Sequence, residues 1–460
     1  MSYKALAVVV IVCLVGIAGA IVNDRKPEPR RTDPDITAWL QANAIAFDTA
    51  EPGGSDADLL PLKDAIGDAR IVALGEPTPG VHEFFAVRQR LVELLVEDMG
   101  FTVLGLEIGF VPAEHLNAYL QTGDGDPADL VAAVAEWSWY TQEVLDLIAW
   151  LRAYNVAHPD QPVQIFGFNT LDVVEPRDAV LAYLREVDPG AAARAETHYS
   201  CLSNLPEGSS TSLIFELLPQ AVNLSGCGDA LQAVYDDMAR FRARYEPTLG
   251  TDAYESALHS ARVLVQAQDY LDTRVTMTTD RLRDRYMAEN VEWLMAQQPD
   301  AKIILWAQNN RIARSRNGYG TTLAGRLEAD HGDELYTIGF TFYQGAINTR
   351  TFDFDFTEIV WSPVGPVELP PAPLESHEAT LHSAGLPRFI LNFKGLDLTG
   401  DARWLRRLSA WRMIGEAYFP DYADNYTTTL ILPTAFDAVI FFDEVTPSHL
   451  RHLLWVEYVD

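Results

Sequence analysis

Short runs of apolar and β-branched residues recur along this sequence and alternate with longer helical patterns. Six of these runs predict strands: Ile71–Gly75, Thr102–Glu107, Val163–Phe168, Lys302–Trp306, Leu335–Phe342 and Ala438–Phe442. Several are apolar at every position, which is typical of strands that are covered on both faces. The alternation therefore predicts an α/β fold in which a mostly parallel central sheet is flanked by helices.

Helical patterns organise the rest of the chain around this sheet. The longer ones cover Val81–Glu97, Thr141–Asn155, Ala230–Tyr245 and Tyr254–Tyr270. Residues 175–297 contain no strong strand signal, so we predict a helical insertion there, at a position suited to cap a site between two halves of the sheet. The predicted organisation is an α/β first half (36–174), the insertion (175–297) and an α/β second half (298–460). The alternating segment Thr351–Thr357 predicts a hairpin within the second half.

The N-terminal stretch Ala5–Val22 is uncharged and about as long as a helix that crosses a bilayer. Ala18, Gly19 and Ala20 also form a small-residue site of the kind that signal peptidase cleaves. Residues 1–22 are therefore a signal or a membrane anchor, and both alternatives stay open. Residues 23–35 are charged and contain proline, which is typical of a flexible linker. We expect an extracytoplasmic protein that is membrane-anchored or secreted.

Two cysteines, Cys201 and Cys227, remain once Cys13 is assigned to the N-terminal segment. Both lie in a region rich in serine, asparagine and glycine. In an exported protein such a pair predicts one disulfide that closes a loop, and two unrelated free cysteines are the alternative.

Charge and motifs exclude several classes of function. Acidic residues outnumber basic ones 65 to 34, a formal charge of -31, which repels nucleic acids. The sequence has no G-x-S-x-G elbow and no nucleotide-binding glycine motif. His82-Glu83 begins like a zincin helix, but Ala86 stands where the second histidine is needed, and His382 follows His377 one residue too late. We therefore predict no metal and no cofactor.

Polar residues do follow the predicted strands, and the carboxyl ends of parallel strands share one edge of a sheet. Glu76 follows the first strand within a Gly/Pro turn, Glu107 ends the second and Asn169 ends the third. Gln308, Asn309 and Arg311 follow the fourth, and Arg88 lies two turns into the first helix. We predict that Glu76, Arg88 and Glu107 form a catalytic group and that the other four bind substrate. A Glu–Arg pair that only holds the sheet edge together is the structural alternative.

The sequence resembles the erythromycin esterase family, whose members hydrolyse the lactone ring of macrolides or are uncharacterised. The resemblance spans about residues 37–452. The segments that carry it are Leu74–Phe85 (LGEPTPGVHEFF), Phe101–Glu107 (FTVLGLE), Trp137–Trp139, Trp150–Asn155 (WLRAYN), Arg285–Trp293 (RYMAENVEW), Ile303–Arg314 (IILWAQNNRIAR) and Ala435–His449 (AFDAVIFFDEVTPSH). It implies hydrolysis by an activated water, without metal.

The catalytic pattern of that family maps onto this chain only in part. It consists of G-E-x-T-H-G, an arginine nine residues after the histidine, a glutamate at the end of the next strand, and W-x-H-N-x-H. Glu76, Arg88 and Glu107 match it. Pro79, Gln308 and Arg311 replace the three histidines, Asn309 is retained, and Asn169 stands where the family usually has aspartate.

The replacements leave two hypotheses. The chain is either an ester or lactone hydrolase that uses Glu107 or Glu76 as its base, or a non-catalytic binding or scaffold protein with the same pocket. Proline, glutamine and arginine transfer no protons near neutral pH, and Arg311 would also stabilise a neighbouring glutamate in its charged, weakly basic form. We expect His82 to point away from the pocket. The expected partner is a small ester, lactone or anionic ligand, with membrane contact only through the N-terminal segment.

Overall fold

The computed structural model describes residues 33–134, 136–202, 226–273, 279–314, 321–355 and 358–451. The predicted signal or anchor (1–22) and nearly all of the predicted linker (23–35) lie outside these ranges. Within them, no helix combines the length and the apolar character that a membrane span requires.

Thirteen strands are defined in the described residues. They are β1 (Ile45–Ala46), β2 (Ile71–Leu74), β3 (Val103–Gly109), β4 (Gln164–Asn169), β5 (Ile303–Trp306), β6 (Leu335–Thr349), β7 (Phe352–Asp355), β8 (Glu358–Trp361), β9 (Gly365–Leu369), β10 (Arg388–Asn392), β11 (Ser409–Arg412), β12 (Thr427–Leu430) and β13 (Ala438–Val445). Nine form one sheet in the order β1-β10-β13-β6-β2-β5-β3-β4, with β9 beside β6. From β13 to β4 all neighbours are parallel, whereas β1, β9 and β10 pair antiparallel.

The predicted α/β fold with a mostly parallel sheet is therefore confirmed. Each of the six predicted strands is one of the six parallel strands, with ends that coincide or are displaced by at most three residues. The exception is β6, which continues to Thr349 because its second half pairs with β9. The predicted hairpin is also present, as β7 pairs antiparallel with β8. The antiparallel strands β1, β9, β10, β11 and β12 were missed.

Helices cover both faces of the sheet. They are α1 (Pro34–Asn43), α2 (Leu60–Ile66), α3 (His82–Met99), α4 (Phe110–Thr122), α5 (Pro127–Ala132), α6 (Gln142–Ala157), α7 (Val174–Val187), α8 (Pro189–His198), α9 (Gly228–Arg240), α10 (Arg242–Leu249), α11 (Thr251–Thr273), α12 (Thr279–Gln297), α13 (Asn309–Ile312), α14 (Leu323–His331), α15 (His377–His382) and α16 (Leu432–Ala435). Short 3-10 turns occur at Tyr199–Leu202, Gly332–Glu334, Gly400–Arg406 and Pro420–Asn425. The predicted helix Ala230–Tyr245 is wrong as a single element, because α9 ends before Phe241 and α10 begins after it.

Alternate residues of the strands point to opposite sides of the sheet, and each side has its own core. Val72 and Leu74 of β2 pack with the cluster that contains residues of α3 and α6. Ile71 and Ala73 pack with the cluster that contains residues of α12 and α14. A third cluster is formed mainly by α7, α8, α9 and α11, so these helices have a separate core. The division into 36–174, 175–297 and 298–460 stays a prediction.

Cys201 and Cys227 are joined by a disulfide, with Cα atoms 5.9 Å apart, as the sequence predicted. Cys227 is buried in the helical cluster at the start of α9. The bond closes a loop across a sequence separation of 26 residues, which limits the freedom of the unfolded chain.

Replacing both cysteines by serine is expected to lower the free energy of unfolding by about 3–4 kcal/mol, the chain-entropy value for a loop of this length. Urea unfolding of the double variant and the unchanged protein measures this loss. The matched control is Cys13→Ser, which is expected to leave the midpoint unchanged. Equal midpoints for all three proteins would contradict a stabilising role for the disulfide.

Candidate active site

Three of the predicted site residues meet at the carboxyl edge of the sheet because β5 lies between β2 and β3. Glu76 follows the end of β2 by two residues, Gln308 follows the end of β5 by two residues, and Glu107 lies in the last part of β3. In the sequence β2 and β3 come early and β5 comes much later, yet β5 lies between them in the sheet. This change of strand order is where ligand sites open in α/β sheets.

A narrow cleft with a cavity volume of about 20 Å³ lies among these loops. Its lining residues are Glu76, Pro79, Phe85, Glu107, Glu136, Ser138, Trp139, Arg283, Trp306, Ala307, Gln308 and Glu416. The lining thus combines four glutamates and one arginine with three aromatic rings. Phe85 and Trp139 both pack on Trp306, with ring centroids 5.6 and 5.7 Å away. An apolar wall with several polar groups is the usual composition of a small-molecule site.

Two glycines allow the loop after β2 to pack tightly enough to form this edge of the cleft. A Cβ atom at Gly75 would collide with the side chain of Asn309, and one at Gly80 would collide with the backbone of Asn348. Backbone bonds fix the same loop, since Gly80 O accepts from Asn348 N and Glu76 O accepts from Asn309 N. The Gly/Pro turn of the sequence is therefore a rigid support for Glu76.

Glu76 is bound to Arg88, which projects from α3. Arg88 Nη2 donates to Glu76 Oε2 at 2.5 Å, and the guanidinium lies over Trp306, 4.3 Å from the ring centroid. Burial raises the pKa of the Glu76 carboxyl, opposed by the charge of Arg88, and burial also lowers the pKa of Arg88. The charge and the hydrogen bond of Arg88 lower the pKa of Glu76, but desolvation outweighs both effects.

Glu107 lies between two arginines. Arg283 Nη2 donates to Glu107 Oε1 at 3.2 Å, and Arg311 Nε lies 3.5 Å from the same oxygen. The backbone N–H of Gln308 donates to Oε2 at 3.1 Å. Arg311 also contacts Asp284, with Nη1 3.3 Å from Oδ1. The carboxylate of Glu107 is therefore held by groups from α12, α13 and the loop after β5.

The sequence matches the family model named erythromycin esterase over residues 96–445, most of the chain. The chain belongs to the erythromycin esterase family. Erythromycin esterase type II of Escherichia coli is 26% identical over 336 residues, which cover 67% of this chain and 77% of that protein. YbfO of Bacillus subtilis (strain 168) is 25% identical over 443 residues, which cover 89% and 91%.

Solved structures similar to the chain show the same fold. A Bacillus cereus protein superposes with a TM-score of 0.76 at 24% identity, over 92% of this chain and all of that one. An erythromycin esterase variant, EreC in its open conformation, superposes with a TM-score of 0.69 at 18% identity, over 89% of this chain and 99% of that one. At these identities the superpositions establish the fold, and homology within the esterase family indicates a hydrolase-type function.

The three residues that the sequence pattern predicts in place of family histidines differ in their surroundings. Pro79 and Gln308 line the cleft, whereas Arg311 does not and instead contacts Glu107 and Asp284. Among the described residues that line the cleft there is no histidine. The predicted proximity of Arg311 to Glu107 is thus observed.

Two residues predicted to bind substrate have structural partners instead. Asn309 is fully buried and pairs through both ends of its amide with the backbone of Phe340 in β6, at 2.7 and 3.1 Å. Asn169 is also buried, and its Oδ1 accepts from the N–H of Thr170. Neither lines the cleft. Arg88 lies behind Glu76, so its role is to position that carboxylate.

His82, as predicted, is not among the cleft-lining residues. Its ring contacts Glu143 and Glu51 at 2.7 and 2.9 Å. The hydrogen bond to Glu143, opposed by burial and assisted by Glu51, raises the pKa of His82 to about 9.

Sequence reasoning missed Arg283, Glu136 and Glu416. Arg283 stands two residues before the family-like segment Arg285–Trp293, and Glu136 directly precedes the segment Trp137–Trp139. Both were therefore adjacent to a recognised signal. Glu416 lies outside the helices and strands, and no motif surrounds it.

Proposed function

We propose that this member of the esterase family binds a small ester- or lactone-type molecule in its cleft and does not hydrolyse it. The observation that carries the proposal is the replacement of the family's three histidine positions by Pro79, Gln308 and Arg311. The first two of these residues line the cleft, and the third is in a buried ion pair. A fold and a pocket are retained, while proton transfer is lost.

The chemistry of proline, glutamine and arginine supports the proposed loss of proton transfer. An imidazole titrates near pH 6.5, so it accepts a proton from water at working pH. Proline has no group that titrates, the glutamine amide is not basic near neutrality, and arginine stays protonated. Loss of a general base costs about 10²–10⁴ in rate, and three coordinated losses within one catalytic unit are not additive.

The lining of the cleft supports a neutral or cationic ligand over an anionic one. Four glutamates face it, and Arg283 is the arginine among the described lining residues. Arg88 and Arg311, the two arginines that the sequence predicted for the site, do not line it. Arg88, Arg283 and Arg311 offset Glu76 and Glu107 in part, and the four glutamates still outnumber these three arginines, which favours an ester that carries an ammonium group.

Calorimetric titration with matched esters tests this proposal. Three ligands with the same ester core and a trimethylammonium, neutral or carboxylate substituent are titrated into the protein, and the recovered ligand is analysed by mass spectrometry. We expect binding in the order cationic, neutral, anionic, with at least about tenfold between the extremes from like-charge repulsion, and intact ligand. Preference for the anion would contradict the assignment of ligand class.

A second candidate, an active hydrolase with Glu76 as base, is favoured by one observation. Burial raises the pKa of Glu76, and enzymes tune glutamates upward in this way to act as bases near neutral pH. This candidate predicts ester turnover that is abolished by Glu76→Gln and that increases with pH through the pKa of Glu76. Turnover of equal rate in the variant would exclude it.

We also propose that the protein acts outside the cytoplasm. The apolar segment Ala5–Val22 and the disulfide between Cys201 and Cys227 support this location, because disulfides persist in oxidising compartments. Cell fractionation with N-terminal sequencing tests it. A mature protein that begins after Ala20 means a cleaved signal, an intact N-terminus in the membrane fraction means an anchor, and a cytoplasmic protein contradicts the proposal.

A further inference from the structure

A second polar cluster lies where three distant parts of the chain meet. His82 is the first residue of α3, Glu143 is the second residue of α6, and His449 follows β13 in the C-terminal segment. Nδ1 of His82 and Nδ1 of His449 both lie 2.7 Å from Oε1 of Glu143. The two imidazole rings are 4.9 Å apart and nearly perpendicular. Two imidazole nitrogens therefore converge on one carboxylate.

These donors have the composition and spacing of a partial metal site. One donor atom from each of His82, Glu143 and His449 lies within 4.8 Å of the others. A tetrahedral zinc ion, bound at about 2.0–2.2 Å, requires donors about 3.3 Å apart. The carboxylate would have to withdraw from each nitrogen by roughly 0.6 Å to admit such an ion, a small rotation of one side chain.

The surroundings hold these donors in the way that the partners of metal ligands do. The remaining ring nitrogen of His82, Nε2, lies 2.9 Å from Oε1 of Glu51, which fixes the ring and directs Nδ1 inward. The backbone N–H of His449 donates to both oxygens of Glu143, at 3.0 and 3.2 Å. A carboxylate behind a ligating histidine is the usual outer partner in zinc sites.

We propose that His82, Glu143 and His449 bind a divalent transition-metal ion, with Zn²⁺ as the expected occupant. Two imidazoles select zinc-type ions over Ca²⁺ and Mg²⁺, which prefer oxygen ligands alone. The side chain of His449 is 67% exposed, so water completes the coordination sphere. The ion would tie the C-terminal segment to the starts of α3 and α6. This site is separate from the cleft and independent of the function proposed for it.

Competition with a chromophoric chelator tests the site. Full-length protein stripped with a chelating agent is titrated with Zn²⁺, and we expect one equivalent to bind. His449→Ala is expected to weaken that binding at least about 100-fold, since it removes a ligand. His449 is exposed, so its removal leaves the fold intact, which circular dichroism verifies. Glu51→Gln is expected to weaken binding about 10–100-fold through the orientation of His82.

His331→Ala provides the matched control. His331 also contacts a carboxylate, with Nε2 2.7 Å from Glu292 Oε1, and its other nitrogen lies 3.8 Å from Glu334. Within the part of the chain that the structure describes, no second imidazole joins this group. This variant is expected to bind Zn²⁺ like the unchanged protein. The proposal is overturned if the unchanged protein binds no stoichiometric Zn²⁺, or if His449→Ala binds it with unchanged affinity.

Discussion

Replacing Glu107 by alanine is expected to lower the free energy of unfolding by about 3–5 kcal/mol, the range for breaking a buried ion pair. Glu107 is buried, and Arg283 and Arg311 both contact its Oε1. Asp284 would still face Arg311 in the variant. Chemical denaturation of the variant and the unchanged protein measures the difference.

Asp98→Ala is the control for this prediction. Asp98 is also in an ion pair, 2.8 Å from Nζ of Lys63, but the Asp98 and Lys63 side chains are 45% and 31% exposed. Such exposed pairs contribute about 0–1 kcal/mol, so this variant is expected to unfold close to the unchanged protein. If Glu107→Ala loses no more than Asp98→Ala, then Glu107 does not hold the arginines, and the description of this network is wrong.

Arg88→Met is expected to cause a loss of similar size, about 3–5 kcal/mol, because it leaves the buried Glu76 without its partner. Arg88 is fully buried, and its contact with Glu76 Oε2 is 2.5 Å. The double variant Arg88→Met, Glu76→Leu replaces both charges by apolar groups of related size. We expect it to recover most of the loss, since buried ion pairs exchange for hydrophobic pairs at little or no cost.

A double-mutant cycle of unfolding free energies makes this prediction quantitative. The coupling between the two positions is expected to be at least about 3 kcal/mol, the upper end for residues in contact, because the double variant recovers most of the loss. Additive effects would mean that Arg88 and Glu76 stabilise the fold independently. In that case the ion pair with Arg88 would not be what stabilises Glu76 in its buried position.

The parallel part of the fold was predictable from the sequence, and the antiparallel part was not. Strands covered on both faces are continuous apolar runs, which is why β2 to β6 and β13 were recognised. Strand β1 has two residues, and β9 contains Pro366, which argues against a strand in the middle of a sheet. The break between α9 and α10 was not predictable, because no proline or glycine adjoins Phe241 in the sequence.

The candidate site was predictable where it depends on strand order, because Glu76, Glu107 and Gln308 all follow from the rule for strand ends. The site was not predictable where side chains form hydrogen bonds with other parts of the fold. Asn309 and Asn169 stand at strand ends too, yet their amides satisfy buried backbone groups. The cluster of His82, Glu143 and His449 was missed because no local spacing joins residues that are 61 and 306 positions apart.

The central claim, a pocket of the esterase family without proton transfer, is tested most directly by a single-turnover measurement. Protein in excess is incubated with a macrolide lactone and with simple esters, and mass spectrometry detects the addition of one water, beside the Glu76→Gln variant and denatured protein. The account predicts that every compound stays intact at the background rate in all samples. Hydrolysis by the unchanged protein that disappears in Glu76→Gln would contradict it and would assign the role of the lost histidines to a carboxylate.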